Sequence, residues 1–403
     1  MNFLHNFGVA TFGFFIFNSL AFSAVPLDEL STETLDAASG DWVWVLDGAA
    51  GYSVSRLFDT ETGNMLGMLS LGYWSTGLAI PSHGEELYAV QTHFSRATRG
   101  ERTDIVAIYD PVTLAPLAEV IIPPRRMSAL TTNALYGISN DDKFLFVQNF
   151  TPAQTVSVVD LPNRSFIAEI DTPGCTGIYP KGSNSFITIC GDGSLLQIEI
   201  DGQGNVVARK IAEPFFDPAT DPVSVEGVII KESQSILFAS NNGYVYPVYT
   251  GEDSLTFGSK WSFLSEDERE SGWRYGGYNR LALNHSTGEL YILMQQGGDE
   301  SYESPGSEVW VFDVESQKRV ARFELEHRAM GIEITQGEVT KLLTSSITYS
   351  VPDATVEKLI EEDLGGILGN LFEVSVDVLD ASNGELIRVI RGVTRTPNLL
   401  QVW

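Results

Sequence analysis

The stretch FSRATRGERTDIVAIYDPVTLAPLAEVIIP, residues 94–123, contains the unit from which most of the chain is built. Residues 104–109 are rich in β-branched and aromatic side chains, Asp110-Pro111 interrupts them, and residues 114–122 resume the apolar run. Two apolar runs of strand length around a polar break are typical of a β-hairpin. The sequence therefore predicts a strand, a turn and a second strand in this stretch.

The same pattern of apolar strand, aspartate, polar turn and apolar strand recurs along the chain. It is found at residues 53–71, 155–173, 308–326 and 373–391, with a weaker copy at 195–211. The aspartates that end the first strand of each copy are Asp59, Asp110, Asp160, Asp201, Asp313 and Asp380. A seventh unit, YVYPVYTGED at residues 244–253, has Thr250 where the others have an aspartate.

A hairpin that returns every 40 to 50 residues or so is typical of a β-propeller, whose blades are small four-stranded sheets. A β-sandwich is the alternative, but a sandwich need not repeat one hairpin at a fixed offset. The sequence therefore predicts an all-β, seven-bladed β-propeller. The first unit begins at Trp42 with three strands, and the apolar segment 398–403 ends the chain. We expect this C-terminal strand to join the N-terminal blade and close the ring, which removes exposed sheet edges.

The N-terminus has the layout of a secretory signal, with an apolar run from Phe7 to Phe22 followed by small residues. Cleavage after Ser23 would leave a signal peptide of residues 1–23, an N-terminal arm of residues 24–41 and the propeller at 42–403. Because the segment before the apolar run has no Lys or Arg, only His5, an uncleaved anchor or a misassigned start codon stays open. We expect export and no other membrane-spanning stretch.

The chain is strongly acidic, with a formal net charge of −28. This charge disfavours nucleic acid and anionic membranes as partners, because both are negatively charged themselves. Each blade of a propeller packs against its neighbours, so the length does not require a second domain.

The residues that carry chemistry are few. The two cysteines, Cys175 and Cys190, flank an apparent hairpin. In an exported protein such a pair indicates a disulfide, although two free buried thiols stay open, and the spacing matches no common zinc motif. The histidines are scattered, and the sequence contains no phosphate loop, dinucleotide fingerprint, nucleophile elbow or haem-attachment motif. We therefore predict no catalytic residue and no metal site on this chain.

Three loops are richer in aromatic and arginine side chains than a plain turn requires. They hold the types of side chain that are common at protein interfaces. For the arginine-rich loop, a solvated hairpin, a contact surface and an internal ion-pair cluster all stay open. The loops are 71–77 with Tyr73 and Trp74, 93–104 with Phe94, Arg96, Arg99 and Arg102, and 270–280 with Trp273, Arg274 and Tyr275.

One insertion departs from the strand pattern. In residues 353–371 the apolar Val356, Leu359, Ile360 and Leu364 follow helical spacing, and Asp353 precedes them as a possible N-cap. The sequence predicts a short helix there. Its polar face carries acidic residues, whereas a membrane-surface helix would carry Lys and Arg.

At these residues the chain resembles the heavy subunit of the quinoprotein amine dehydrogenases, the methylamine and aromatic amine dehydrogenases. The resemblance covers roughly residues 45–350 and the final strands. The segments that carry it, in the family's order, are FSRATRGERTDIVAIYDPVTLAPLAEVIIP, TVSVVDLPNRSFIAEIDTPGC, SFITICGDGSL and SGWRYGG.

The resemblance implies a seven-bladed propeller without a cofactor of its own. In that family two heavy chains assemble with two small cysteine-rich light chains in the periplasm. The light chain carries tryptophan tryptophylquinone and oxidatively deaminates primary amines to aldehyde and ammonia. Electrons then pass to a blue-copper protein such as amicyanin or azurin. By this resemblance the chain is a non-catalytic subunit of an oxidoreductase.

The resemblance also implies roles for particular residues. Tyr73 occupies the position that lines the substrate channel, with Trp74 beside it, and the Cys175–Cys190 spacing matches the family's intrachain disulfide. The light-chain interface is then expected at Phe94, Arg96, Arg99, Arg102, Trp273, Arg274 and Tyr275. Two features differ from the family, namely a shorter N-terminal arm and the insertion at 351–372. A stand-alone exported propeller, either a lactonase-like hydrolase or a protein-interaction scaffold, is the alternative.

Overall fold

The hairpin that is repeated in the sequence forms the third and fourth strands of each four-strand unit. The computed structural model describes residues 34–36, 39–48, 51–74, 77–82, 86–128, 130, 132–150, 152–251, 254–349, 351, 355, 358–359, 372–394 and 399–402. Within this part of the chain the strands form six antiparallel sheets, and the sheets are arranged as an all-β propeller.

Five of the sheets are separate blades of four or five strands. The first contains β1 (Trp42–Asp47), β2 (Tyr52–Asp59), β3 (Met65–Tyr73) and the last strand of the chain, β29 (Leu400–Val402). The second contains β4 (Leu78–Ala79), β5 (Leu87–Arg96), β6 (Arg99–Tyr109) and β7 (Pro116–Ile122). A 3₁₀ turn, Asn133–Leu135, precedes the third, which contains β8 (Tyr136–Ile138), β9 (Phe144–Asn149), β10 (Thr155–Asp160) and β11 (Ser165–Asp171).

The fourth blade contains β12 (Cys175–Lys181), β13 (Ser185–Cys190), β14 (Leu195–Ile200) and β15 (Val206–Ala212). The fifth contains β16 (Val228–Ile230), β17 (Ser235–Ala239), β18 (Tyr244–Tyr249), β19 (Thr256–Phe257) and β20 (Trp261–Ser262). A short helix, α1 (Glu266–Glu270), follows, and a capping box between Ser265 and Glu268 begins it.

The sixth sheet has eight strands, so the prediction of seven separate blade sheets is corrected. Its strands are β21 (Trp273–Tyr275), β22 (Leu281–Asn284), β23 (Glu289–Gln296), β24 (Gly306–Asp313), β25 (Lys318–Ile334), β26 (Lys341–Tyr349), β27 (Phe372–Asp380) and β28 (Leu386–Thr394). One part of β25, up to Glu324, pairs chiefly with β24, and the part from Arg328 onward pairs with β26. No Gly or Pro interrupts the chain between these parts, so the strand continues from one four-strand unit into the next.

Each repeated aspartate caps the turn between the third and fourth strands of its unit. Asp110 Oδ1, for example, accepts hydrogen bonds from the backbone N–H groups of Val112 and Thr113 at 2.9 and 2.7 Å. The other five aspartates accept equivalent bonds from their turns. At the seventh turn, Thr250 instead donates its hydroxyl to the carbonyl of Gln234 at 2.9 Å. The repeat in the sequence is therefore a turn-capping signal, because Asp side chains readily accept bonds from the backbone that follows them.

The first and last strands of the described chain pair in the first blade, as predicted. β29 pairs antiparallel with β1, with Val43 opposite Val402 and Val45 opposite Leu400. Every residue of β1 is buried. The C-terminal strand thus supplies the fourth strand of the N-terminal blade and closes the ring.

The apolar core lies between neighbouring units rather than at one centre. Seven clusters of buried apolar side chains occur among the described residues, and each joins two consecutive units. One of them lies inside the eight-stranded sheet, where Leu293 and Phe323 pack with Ile332 and Leu342. Another packs Val43 and Val45 of the first blade against Val376 of the last unit. Burial of apolar surface between units therefore stabilises the closed ring.

The strand order assigns each connection to one of two faces. We call the side with the aspartate turns the turn face and the opposite side the loop face. In an antiparallel unit, the loop from the second to the third strand and the link to the next unit lie on the side opposite the turn between the third and fourth strands. The β3–β4 link and the β5–β6 loop therefore both lie on the loop face.

The disulfide prediction is confirmed, because Cys175 and Cys190 are bonded at 1.98 Å and are directly opposite each other in the β12–β13 pair. Thr34–Trp403 form one compact unit. The predicted signal peptide of residues 1–23 lies outside the described residues, as do most of the predicted arm at 24–41 and most of the predicted helical insertion at 353–371. In the described part of the chain, no helix is long and apolar enough to cross a membrane.

Candidate functional site

Tyr73, the last residue of β3, is the centre of an aromatic cluster on the loop face. Its ring lies edge-on to the rings of Phe94 and Trp74, with centroid distances of 5.3 and 6.1 Å. Trp74 is 44% exposed and has a φ of +48°, which is uncommon for an aromatic residue. The preceding Gly72 has a φ of +72°, and a Cβ there would lie 2.7 Å from the carbonyl oxygen of Thr92. Only glycine fits this close approach, which places Tyr73 against β5.

A buried arginine holds the backbone of this cluster in place. Arg126 is 2% exposed, and its Nη2 donates to the carbonyl oxygens of Tyr73 at 2.8 Å and Trp74 at 3.0 Å. Its Nη1 donates to the carbonyl of Met127 at 3.2 Å. Burial lowers the pKa of Arg126 to about 10, so the guanidinium remains charged at neutral pH. The left-handed backbone at Trp74 is therefore stabilised by charge-assisted hydrogen bonds.

A buried carboxylate organises the other side of the same network. Asp104 on β6 is fully buried and accepts four hydrogen bonds. The donors are Thr92 Oγ1 at 2.7 Å, Arg102 Nε at 2.9 Å, Arg102 Nη2 at 2.8 Å and the backbone N–H of Arg126 at 2.9 Å. Arg102 Nη2 also donates to the carbonyl of Arg126 at 2.8 Å. We call Thr92, Arg102, Asp104 and Arg126 the Asp104 network.

The arginines of the 93–104 loop therefore have different roles. Arg102 forms the internal ion pair that the sequence left open as one alternative, and its side chain is only 27% exposed. Arg96 and Arg99 face each other across the end of the β5–β6 hairpin and are exposed. In the part of the chain that the structure describes, no carboxylate lies within ion-pair distance of either. These two charges are available to a partner, whereas Arg102 is already engaged.

The second predicted interface segment also lies on the loop face, because β21 pairs with the final residues of β23. Trp273 stacks obliquely on Trp310 with a centroid distance of 5.1 Å, under the guanidinium of Arg322. Arg274 Nη2 donates to the fully exposed Asp299 at 3.1 Å. Trp273 and Arg274 are both partly exposed.

Tyr275 is the exception, because it is 1% exposed and lies in the apolar core between two units. Its hydroxyl donates to Asn241, and the guanidinium of Arg280 lies 4.5 Å from its ring. Burial of Tyr275 argues against its predicted contact with a light chain. Trp273 lies on the same side of β21 and packs only partly against the same cluster. Among the described residues, no ring contact or hydrogen bond joins Trp273–Tyr275 to the Tyr73 cluster.

Sequence reasoning missed Arg126. It follows Arg125 in the link from β7 to the third blade, and nothing in that local pattern distinguishes a buried arginine from an exposed one. The sequence also gave no reason to single out Asp104, which looks like an ordinary strand residue. In the described part of the chain, no group of three His, Cys, Asp or Glu side chains could hold a metal ion.

Comparisons with known proteins cover the segments that carry the resemblance in the sequence. The sequence model of the family described as "Methylamine dehydrogenase heavy chain (MADH)" matches residues 39–357. The methylamine dehydrogenase heavy chain of Methylophilus methylotrophus is 28% identical over 313 residues, covering 77% of this chain and 76% of its own length. The heavy chain of Paracoccus versutus is 26% identical over 362 residues, covering 89% and 78%. The resemblance seen in the sequence is thereby confirmed.

The similarity to solved structures shows only the fold of this chain. A protein of unknown function from Desulfotomaculum acetoxidans superposes with a TM-score of 0.58 at 13% identity, covering 90% of this chain and 98% of that chain. The β-propeller domain of Cps50 (Swd1) from Myceliophteria thermophila superposes with a TM-score of 0.50 at 11% identity, covering 78% and 95%. The family match over 39–357 is the stronger finding, and the chain belongs to the methylamine dehydrogenase heavy chain family.

Proposed function

We propose that this chain is the non-catalytic heavy subunit of a periplasmic, tryptophan tryptophylquinone-dependent amine dehydrogenase. The family membership supports a heavy-chain role, and the observation that carries the proposal to particular residues is the Tyr73 cluster. An exposed Trp74 beside a partly buried Tyr73, both fixed by Arg126, is a rigid aromatic surface. Rigid aromatic side chains are the residues that dominate binding energy at interfaces.

In this proposal the loop face binds a small cysteine-rich light chain, and two heavy and two light chains assemble. Tyr73 and Trp74 line the amine channel, while Phe94, Arg96, Arg99, Trp273 and Arg274 contribute to the light-chain interface. Arg96 and Arg99 are exposed cations in a chain of net charge −28, so they favour an acidic patch on the partner. The quinone on the light chain would supply the electrophile and accept the electrons, and this chain would shape access to it.

The assembly would deaminate primary amines to aldehyde and ammonia and pass electrons to a blue-copper protein such as amicyanin or azurin. The test is to purify the chain from its native host under non-denaturing conditions and to record its companions on a gel and its visible spectrum. We expect a small co-purifying chain and a quinone absorption band that added amine bleaches. A colourless chain that runs alone would refute the proposal.

We also propose that the propeller counts as seven blades, with the eight-stranded sheet as two of them. The support is the seven inter-unit clusters, one of which lies between the two halves of that sheet. The six turns capped by an aspartate, together with the turn at Thr250, agree with this count. β24 and β26 are the two neighbours of β25. An experimental density map in which these three strands form one flat, continuous sheet would contradict the count of seven blades.

A further inference from the structure

The centre of the ring contains a cavity of about 940 Å³ that no residue of the Tyr73 cluster lines. Its walls come from the innermost strands of all units, from Val402 in the first blade to Glu333 in the last unit. Turn residues such as Lys231 and His285 also line it, so it extends to the turn face. Its volume lies in the range of small-molecule sites, which are roughly 300–1,000 Å³.

Two glutamates, Glu226 and Glu333, lie inside this cavity. The side chain of Glu226 is 11% exposed, and its Oε2 lies 3.9 Å from Nε of Arg280. The backbone N–H of Arg280 donates to the same oxygen at 3.3 Å. Arg280 Nε is buried and makes no hydrogen bond, while its Nη2 donates to the carbonyl of Gly277 at 2.7 Å. Glu226 therefore has a cationic partner.

Glu333 has no such partner. Its Oε1 accepts one hydrogen bond, from the backbone N–H of Ile334 at 2.9 Å. Among the residues described by the structure, no Lys, Arg or His lies within ion-pair distance of this carboxylate. The segment Asn279-Arg280 lies between the two acids, because Asn279 forms a bridge with Gly331 and Arg280 bonds Glu226. Of the two glutamates only Glu226 has a cationic partner among the described residues, so the pair carries one uncompensated negative charge when both are ionised.

Burial raises the pKa of both groups to about 7, and the charge of Glu226 adds to the rise at Glu333. An unpaired carboxylate is costly to keep inside a protein, and a bound cation would remove that cost. The surrounding wall is mixed, and Ile80, Ile138 and Leu281 are among its apolar residues. Such a wall accommodates a ligand that has both a charged group and a hydrocarbon or planar part.

We infer that the central cavity binds a small organic cation, of the alkylammonium or alkylguanidinium kind, whose charged group pairs with Glu333. An inorganic ion fits less well, since Ca²⁺ takes six to eight oxygen ligands and the described residues offer no cluster of three metal-binding side chains. A monovalent organic cation matches both the single missing charge and the apolar residues of the mixed wall. This site does not require a light chain.

The remaining acidic and basic side chains that line the cavity lie toward the turn face. They are Asp142, Lys181, Glu199, Lys231 and His285. Because a cation pairs only with the ionised form of Glu333, binding should weaken as the pH falls from 8 to 6. With a pKa near 7, the ionised fraction falls about tenfold over this range. If Glu333→Gln weakens binding at pH 8 about as much as acidification to pH 6 weakens binding by the wild type, the pH dependence is due to Glu333 and not to the titration of His285.

Isothermal titration calorimetry on the purified protein, with any bound partner retained, tests the inference. The probe is methylguanidinium chloride at pH 8, because it carries a cation that has no oxidisable C–NH₂ carbon. Arms with potassium chloride and calcium chloride at matched ionic strength distinguish an organic from an inorganic cation. We expect one site for methylguanidinium, about tenfold weaker binding at pH 6, and at least a tenfold loss in Glu333→Gln.

Glu338→Gln, an exposed acid on the adjacent turn, is the matched control and should bind as the wild type does. Glu333→Gln should melt no lower than the wild type without ligand, because it removes a partly buried carboxylate that has no cationic partner among the described residues and keeps an acceptor for Ile334. No binding heat with methylguanidinium, equal affinity in Glu333→Gln, or binding of the inorganic ions alone would overturn the inference.

Discussion

Replacement of Asp104 by asparagine is the sharpest test of the network that supports Tyr73. The carboxylate is fully buried and accepts four hydrogen bonds, two of them from the guanidinium of Arg102. Asparagine has nearly the same shape, but it loses the charge and turns an NH₂ group toward donors. At least one donor of Arg102 or Arg126 then lies opposite another donor.

The magnitude follows from the chemistry of the lost contacts. A hydrogen bond to a charged group contributes about 1.5–3 kcal/mol, and removing one partner of a buried ion pair typically costs about 3–5 kcal/mol. Arg102 is 27% exposed, so water compensates part of the loss and we expect roughly 3 kcal/mol. For a cooperative unit the size of Thr34–Trp403, this lowers the melting temperature by about 4 °C.

The assay is thermal unfolding followed by near-ultraviolet circular dichroism, which also reports the environment of Tyr73 and Trp74. The matched control is Asp299→Asn on the same face, where a fully exposed carboxylate pairs with Arg274. Its effect should stay below about 1 kcal/mol, as for exposed pairs in general. A melting temperature within 1 °C of the wild type for Asp104→Asn, with its near-ultraviolet spectrum unchanged, would refute the reasoning.

Three further predictions follow from the structure. Tyr73→Ala should change the preference of the dehydrogenase among amines of different size by about tenfold, equal to about 1.4 kcal/mol. Steady-state kinetics over an amine series measures this, with Tyr249→Ala, an exposed tyrosine on the turn face, as control. An unchanged preference would count against a channel role. The paired change of Cys175 and Cys190 to serine should destabilise the protein by about 3 kcal/mol, since the disulfide closes a loop of 15 residues, and an unchanged denaturant midpoint would contradict this. The turn hydrogen bonds lower the pKa of four turn aspartates, so the stability they contribute is present above the unfolded-state pKa and is lost as the pH falls below about 4. Melting temperatures between pH 6 and pH 3 should drop less in their asparagine variants than in the wild type, and parallel drops would exclude this contribution. These four are Asp110, Asp201, Asp313 and Asp380.

Much of the fold could be predicted from the sequence because its signals are local. The aspartate of each hairpin bonds the backbone two or three residues later, so the strand-turn-strand unit is encoded within about twenty residues. The closing of the ring by residues 400–402 was predictable for a related reason, since an unpaired apolar strand at one end matched a blade short of a strand at the other. The continuity of β25 was not predictable, because a polar stretch between two strands looks like a connection until its partners are known.

The chain by itself determined the repeating hairpins, the family and which loops are rich in aromatic and arginine residues. Only the tertiary structure decided which of those side chains face outward. It engaged Arg102 inside the Asp104 network, buried Tyr275 between two units and placed Arg126 beneath Tyr73. It also left Glu333 without a cationic partner among the described residues. The physical reason is that burial, and with it the cost of a charge, depends on closure of the ring between residues far apart in the sequence.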